Sequence, residues 1–272
     1  MKKRFIALID LSPHSEHLLR FAYDWSKRVG AEMLLVHEAA ALVPLMTPYE
    51  TKIELIDIAN REARHKLKGL SDAILPRGNR VKLHISEKSL VITIRKLLEE
   101  PFDNLVFIGI KRTGLVKKIL IGSQAVKVIN DIDNLIVAVP EKASCCTPDA
   151  IHVAVHKNYP LNIFELNKFL RFIFKDIKRI KFFSVITPED DRAATEKYLK
   201  ELIELYSDKY DASYEQYTGL NTLKELKKIL LEKGNEFIVV QRGARILLDQ
   251  IFRKFLINEL VYEGNTPLII LP

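Results

Sequence analysis

Phe5-Ile6-Ala7-Leu8-Ile9-Asp10-Leu11-Ser12-Pro13-His14-Ser15 is the stretch on which the fold turns. Five apolar residues in a row, two of them isoleucines, predict a short strand buried on both faces, as in a parallel sheet. Asp10 ends the run, and a polar turn with Pro13 follows. Leu18, Leu19, Phe21, Ala22, Trp25 and Val29 then recur at helical spacing, and Gly30 is a natural helix stop. Residues 33–37 (MLLVH) are a second strand. Strand, turn, helix, strand is the start of a wound α/β sheet.

The pattern continues outward from there. Residues 39–50 hold Pro44 and Pro48 and read as a loop. Ile53, Ile56, Ala59, Ala63, Leu67 and Leu70 mark one face of a long helix. Residues 81–85, 105–108 and 135–139 are further strands, separated by helices around Leu90–Leu98 and 123–129. Five apolar strands alternating with amphipathic helices imply a parallel sheet covered on both faces.

After residues 141–149 (EKASCCTPD), a small, polar linker, the order restarts. Residues 151–155 match 5–9, 164–174 form the next helix, and 180–186 are a second strand. A charged helix over 189–206 turns Ala193, Tyr198, Leu202 and Leu205 inward. Residues 223–231 and 247–261 are helical, and 237–240 and 267–271 are strands. The chain thus reads as two α/β domains, 1–140 and 150–272, joined by 141–149.

The 272 residues suffice for two such domains, and 48% of them are apolar. No apolar run approaches the ~20 residues a membrane span needs. The basic start resembles a signal peptide, but Asp10 interrupts its apolar stretch and no small-residue cleavage site follows. The expected location is cytoplasmic, with no membrane partner. Cys145 and Cys146 are neighbours, so they make neither a disulfide framework nor a four-ligand zinc site. Net charge is +7, and the excess lies in the first half. No helix-turn-helix, zinc-finger or RNA-binding signature accompanies it, so nucleic acid is not the expected partner.

The loop after the fourth strand carries the chemistry: Ile108-Gly109-Ile110-Lys111-Arg112-Thr113-Gly114, then Lys117-Lys118, then Gly122-Ser123-Gln124 opening a helix. Glycines let backbone approach a ligand. Free N–H groups and the dipole of a helix start favour an anion, and Ser123 can cap the helix or donate to a phosphate. The plainer alternative is an ordinary strand-to-helix loop with a serine cap. Asp10 ends the first strand at the same carboxyl edge, where open α/β sheets bind ligands. A carboxylate there suits ribose hydroxyls or an adenine edge, or else an Asx-turn.

Asp10-x-Ser12-x-x-Ser15, His37 ending strand two, and Gly109…Gly122-Ser123 before 135–139 resemble the universal stress protein family, over nearly all of residues 4–140 and more weakly over 151–272. The resemblance implies two tandem five-stranded Rossmann-like domains of the adenine nucleotide α-hydrolase type. It implies ATP or another adenine nucleotide in the first, with Mg2+ only where ATP is bound. Asp10 would face the adenosine, Glu38 would offer main-chain groups to adenine, and Gly109, Gly122, Ser123 and Gln124 would line ribose and phosphates. The family's second loop glycine is Arg112 here, which either blocks the close approach or pairs with phosphate. The family's glycine after strand three is absent from Ser86-Glu87-Lys88-Ser89. The last strands of the two domains would pair with each other, and a homodimer is a further option.

The second half lacks these features. His156 stands where Asp10 does, and Lys254-Phe255 take the place of Gly122-Ser123, so this half is expected to hold no nucleotide. No Walker Gly-Lys-Ser/Thr run occurs, and His14 and His37 are the nearest general-base candidates. A nucleotide-responsive stress-response binding protein without catalytic residues is therefore the leading expectation. An interaction protein that binds no nucleotide and a slow ATP hydrolase are the alternatives.

Overall fold

Apolar runs flanked by turns become strands, and the amphipathic stretches between them become helices. In the computed structural model, described here for residues 1–39, 43–110, 123–143, 146–173, 177–186, 190–218, 236–242 and 266–272, the chain divides into two compact units. The first comprises Met1–Gly109 and Ser123–Ile132, and the second takes the described residues from Asp133 to Pro272.

The first unit runs β1 (Lys2–Leu8), α1 (Ser15–Val29), β2 (Glu32–Glu38), α2 (Tyr49–Ile74), β3 (Lys82–Ser86), α3 (Leu90–Leu98), β4 (Phe102–Ile110) and α4 (Ser123–Asp131). Its strands are parallel in the order β3-β2-β1-β4. The chain winds outward from β1 through β2 to β3, then crosses back to β4 on the other side of β1. Strand order therefore reverses between β1 and β4.

Beneath that reversal lies an aromatic core. Trp25 of α1 is fully buried and meets Phe5 and Phe107 edge-on, at centroid distances of 5.7 and 5.4 Å. Gly30 ends α1 in the left-handed conformation at φ 65°, which a glycine adopts without a Cβ penalty. At the other end of β1, Arg4 is buried, with Nε on Asn104 at 2.8 Å, Nη1 on Glu100 at 2.6 Å and its guanidinium over the Phe102 ring. The charge is thus paired and hydrogen-bonded, the condition under which burial is tolerated.

Two helix faces differ from their periodic reading. Of the six α2 positions expected inside, only Ala63 and Leu67 are buried, and Ile53 is 43% exposed. The stripe continues past the end of the surface α2 covers. In α6 (Arg192–Tyr206) the buried set is Thr195, Leu199, Leu202 and Tyr206, while Ala193 and Leu205 face out. Thr195 is admissible inside because its hydroxyl donates to the Asp191 carbonyl at 2.9 Å.

The second unit holds β5 (Ile136–Pro140), β6 (Ala150–Ala154), α5 (Ile163–Ile173), β7 (Arg179–Ile186), α6, β8 (Asp211–Thr218), β9 (Glu236–Gln241) and β10 (Leu268–Leu271). Parallel strands run β8-β7-β6-β9-β10, the same winding as β3-β2-β1-β4, and β5 lies antiparallel to β10. Strand β8 is absent from the sequence reading. It is polar (DASYEQYT) and its apolar content is carried by tyrosines, so no hydrophobic run marks it. The helices expected over 223–231 and 247–261 lie outside the described residues. Among the described residues no helix is long and apolar enough to cross a membrane.

Candidate functional site

Asp10 stands two residues past β1, exposed at the sheet's carboxyl edge. Its Oδ1 accepts from Ser12 N–H at 3.1 Å and from the buried Ser15 hydroxyl at 2.8 Å. The turn this creates forces Leu11 to φ 59°, an uncommon conformation for a side-chain-bearing residue. Such turns store strain, and they cluster where a chain presents groups to a ligand. Ser12 Oγ is buried with no hydrogen-bond partner among the described residues. The Asx-turn role and the edge position thus coexist in one carboxylate.

Register sets the neighbours. Leu8 pairs with Val36 and with Ile108, so two residues further on Asp10 lies beside Glu38, and Gly109 lies beside Ile9. Glu38 pairs in turn with Ser86. Asp10, Glu38 and Gly109 therefore converge on one edge, at the place where strand order reverses. Open α/β sheets take ligands in that crevice.

Gly109 has a revealing environment. A Cβ built on it would meet only Leu18, at 3.6 Å from Cδ2 and 4.0 Å from Cβ, which is ordinary contact. The packing of the described residues does not demand a glycine there.

His37 lies in the row of Ile9. Its Nδ1 is 2.7 Å from the Ile9 carbonyl oxygen. A carbonyl only accepts, so Nδ1 donates this bond and Nε2 lies outside it. Glu38 uses its side chain as well as its backbone: Oε2 accepts from Leu90 N–H at 3.0 Å and caps α3. This explains how the β3–α3 turn stands without the glycine. The helix start is satisfied internally by Glu38, and the Ser86 and Thr93 hydroxyls pair at 2.6 Å beneath it. The capping role of Glu38 was not readable from the sequence, because the carboxylate reaches 52 residues along the chain to its partner.

Ser123 opens α4, and Gln124 is exposed in its first turn. Arg112 and Gly122 lie outside the described residues. The described edge carries two carboxylates, of Asp10 and Glu38, beside the His37 imidazole.

The equivalent edge of the second unit is different. His156 is buried; its Nδ1 accepts from Asn158 N–H at 3.2 Å and its Nε2 lies 3.4 Å from Asp190 Oδ1. Gln241 clips the following loop, accepting from Asn162 N–H at 2.6 Å and donating to the Pro160 carbonyl at 3.3 Å. Tyr198 Oη takes the Leu161 N–H at 2.7 Å. The turn after β6 is thus folded onto its own strand ends.

These features define a doubly wound α/β protein whose strand order reverses between its first and fourth strands. The family model of the universal stress protein family matches residues 1–140, and the chain belongs to that family, which gives it a part in stress response. Among solved structures it resembles a universal stress protein from Archaeoglobus fulgidus, at 17% identity and TM-score 0.67, covering 98% of this chain and 97% of that one. It also resembles a functionally unknown protein from Pseudomonas aeruginosa, at 11% identity and TM-score 0.56, covering 99% and 92%. A putative universal stress protein from Pseudomonas aeruginosa matches at 11% identity and TM-score 0.54, covering 99% and 93%. At these identities the likeness concerns the fold alone. No curated protein matches the chain.

Proposed function

We propose that the first half binds ATP or a related adenine nucleotide at the carboxyl ends of β1 and β4, and that the second half is a diverged copy serving a structural or regulatory role. The observation that carries this is the convergence of Asp10, Glu38 and Gly109 at the reversal of strand order. Gly109 supports it, since its missing side chain leaves room that the core does not claim. In this reading Asp10 meets ribose hydroxyls, and the Glu38 main chain meets the adenine edge. Gly109, Gly122, Ser123 and Gln124 line ribose and phosphates, with Arg112 pairing with phosphate. Mg2+ enters only with ATP. The self-closed edge around His156 leaves the second half without nucleotide. The family's cytoplasmic setting and the absence of catalytic residues belong to the same proposal.

The test is direct. The purified chain is denatured and the supernatant assayed for adenine nucleotide, and melting is followed with added ATP. At 100-fold excess over Kd a ligand adds about 2.7 kcal/mol of stability, a rise of several degrees. No released nucleotide together with no shift at millimolar ATP would sink the proposal. Accumulating ADP that disappears in Asp10→Ala and Ser123→Ala would replace binding by slow hydrolysis.

A further inference from the structure

Strand β3 is the outer strand of the first unit, paired among the described residues with β2 alone. Ser86 gives its carbonyl inward to Ala39 N–H at 2.9 Å. Backbone groups alternate sides along a strand, so the N–H and C=O of Leu83 and Ile85 point outward. An open row of this kind is a template for another strand.

The surroundings are strongly cationic. Residues 61–88 carry eight Lys and Arg against three Asp and Glu, which is most of the first half's excess. Lys82 pairs with Glu32 at 2.9 Å. Arg64, Arg77 and Arg80 are exposed and have no ion-pair partner among the described residues. A hydrogen-bonded turn carries two of them: Gly78 sits at φ 79°, and Asn79 donates from its backbone and side chain to the Pro76 carbonyl, both at 3.2 Å. The field of these cations is felt on the strand itself. Burial chiefly, then Arg64 and Lys96, hold His84 below the usual histidine range, against Glu100.

We propose that the β3 edge docks an acidic, extended segment of another protein, added to the sheet as a further strand. Charge complementarity selects the partner's composition, and the outward groups of Leu83 and Ile85 supply its main-chain bonds. The same cations repel a second copy of this edge, so the strand is protected from self-pairing while open to an acidic one. Residues 61–88 contain no Phe, Tyr or Trp on which bases could stack, and a nucleic acid would leave the edge backbone unused.

The experiment uses the full chain and a fluorescein-labelled octapeptide alternating Glu and Val, read by anisotropy, with a Lys/Val octapeptide as control. The acidic peptide is expected to bind, and to bind at least tenfold more weakly at 300 than at 50 mM NaCl. Arg77→Glu with Arg80→Glu should weaken it tenfold or more. Leu83→Pro removes an outward N–H without touching the β2 ladder and should weaken it similarly. In wild type the Leu83 and Ile85 amides should gain exchange protection with peptide, a readout that stands should the proline variant not fold. Equal binding of the Lys/Val peptide would overturn the proposal. So would unchanged exchange at both amides, or tighter binding of a 12-nucleotide single strand than of the acidic peptide.

Discussion

Asp10→Ala separates what that carboxylate does for the fold from what it does at the crevice. The change removes an acceptor for Ser12 N–H and one for the Ser15 hydroxyl, which is 3% exposed and would stay buried without a partner. An orphaned buried hydroxyl costs about 1–3 kcal/mol, and the lost turn bond about 0.5–1.5 kcal/mol. Relaxation of Leu11 from φ 59° returns part of this, since such strain is worth about 1–3 kcal/mol. The net expectation is a loss of about 1–2 kcal/mol, or a Tm lower by roughly 2–8 °C for a protein of this size. Asp10→Asn keeps an oxygen acceptor with the same reach, and should melt within about 1–2 °C of wild type. Both variants should lose the ATP-dependent rise in Tm. Differential scanning calorimetry with and without ATP reads all four values. An alanine variant as stable as wild type would refute the hydrogen-bond account. An asparagine variant as unstable as the alanine one would show that charge, not acceptor geometry, holds the turn.

Other outcomes follow from the same structure. Gly109→Ala should leave Tm nearly unchanged, because its Cβ meets Leu18 at 3.6 Å in ordinary contact, while abolishing the ATP-dependent shift; a destabilised variant would show the glycine is there for packing. Trp25→Ala empties the centre of the aromatic core and should cost about 3–5 kcal/mol in chemical denaturation, against well under 1 kcal/mol for an exposed site. His84 has a depressed pKa in the folded state, chiefly from burial and then from Arg64. The unfolded chain therefore takes up its proton first, and stability present above the unfolded value of 6.5 is lost as pH falls through the lower folded value. An NMR titration of the His84 ring should give a midpoint below 6.5, moving upward in Arg64→Ala; a midpoint at or above 6.5 would contradict the packing. Asp191 accepts from Ala194 N–H at 3.0 Å and caps α6, and that bond chiefly lowers its pKa. The stability cost of Asp191→Ala should be full at pH 7 and vanish in melts below the folded carboxyl's titration.

Much of this was legible in the sequence because buried parallel strands write continuous apolar runs. Residues 5–9 and 151–155 announce β1 and β6, and Gly30 announces the end of α1. Where a strand is polar, as in β8, or a helix runs past its support, as in α2, local pattern carries less, since burial is decided by what packs opposite. At the crevice, strand-end residues such as Asp10 and Gly109 follow from element boundaries alone. The Glu38 cap on α3 and the His37 bond to Ile9 depend on which strands lie side by side, and a linear chain does not state that.

The closed edge of the second unit has an electrostatic consequence. With His156 buried against Asp190, a carboxylate placed at 156 would face another carboxylate, and the contacts of Gln241 and Tyr198 with the following loop would remain. A single substitution at 156 therefore does not turn this edge into a copy of the one around Asp10.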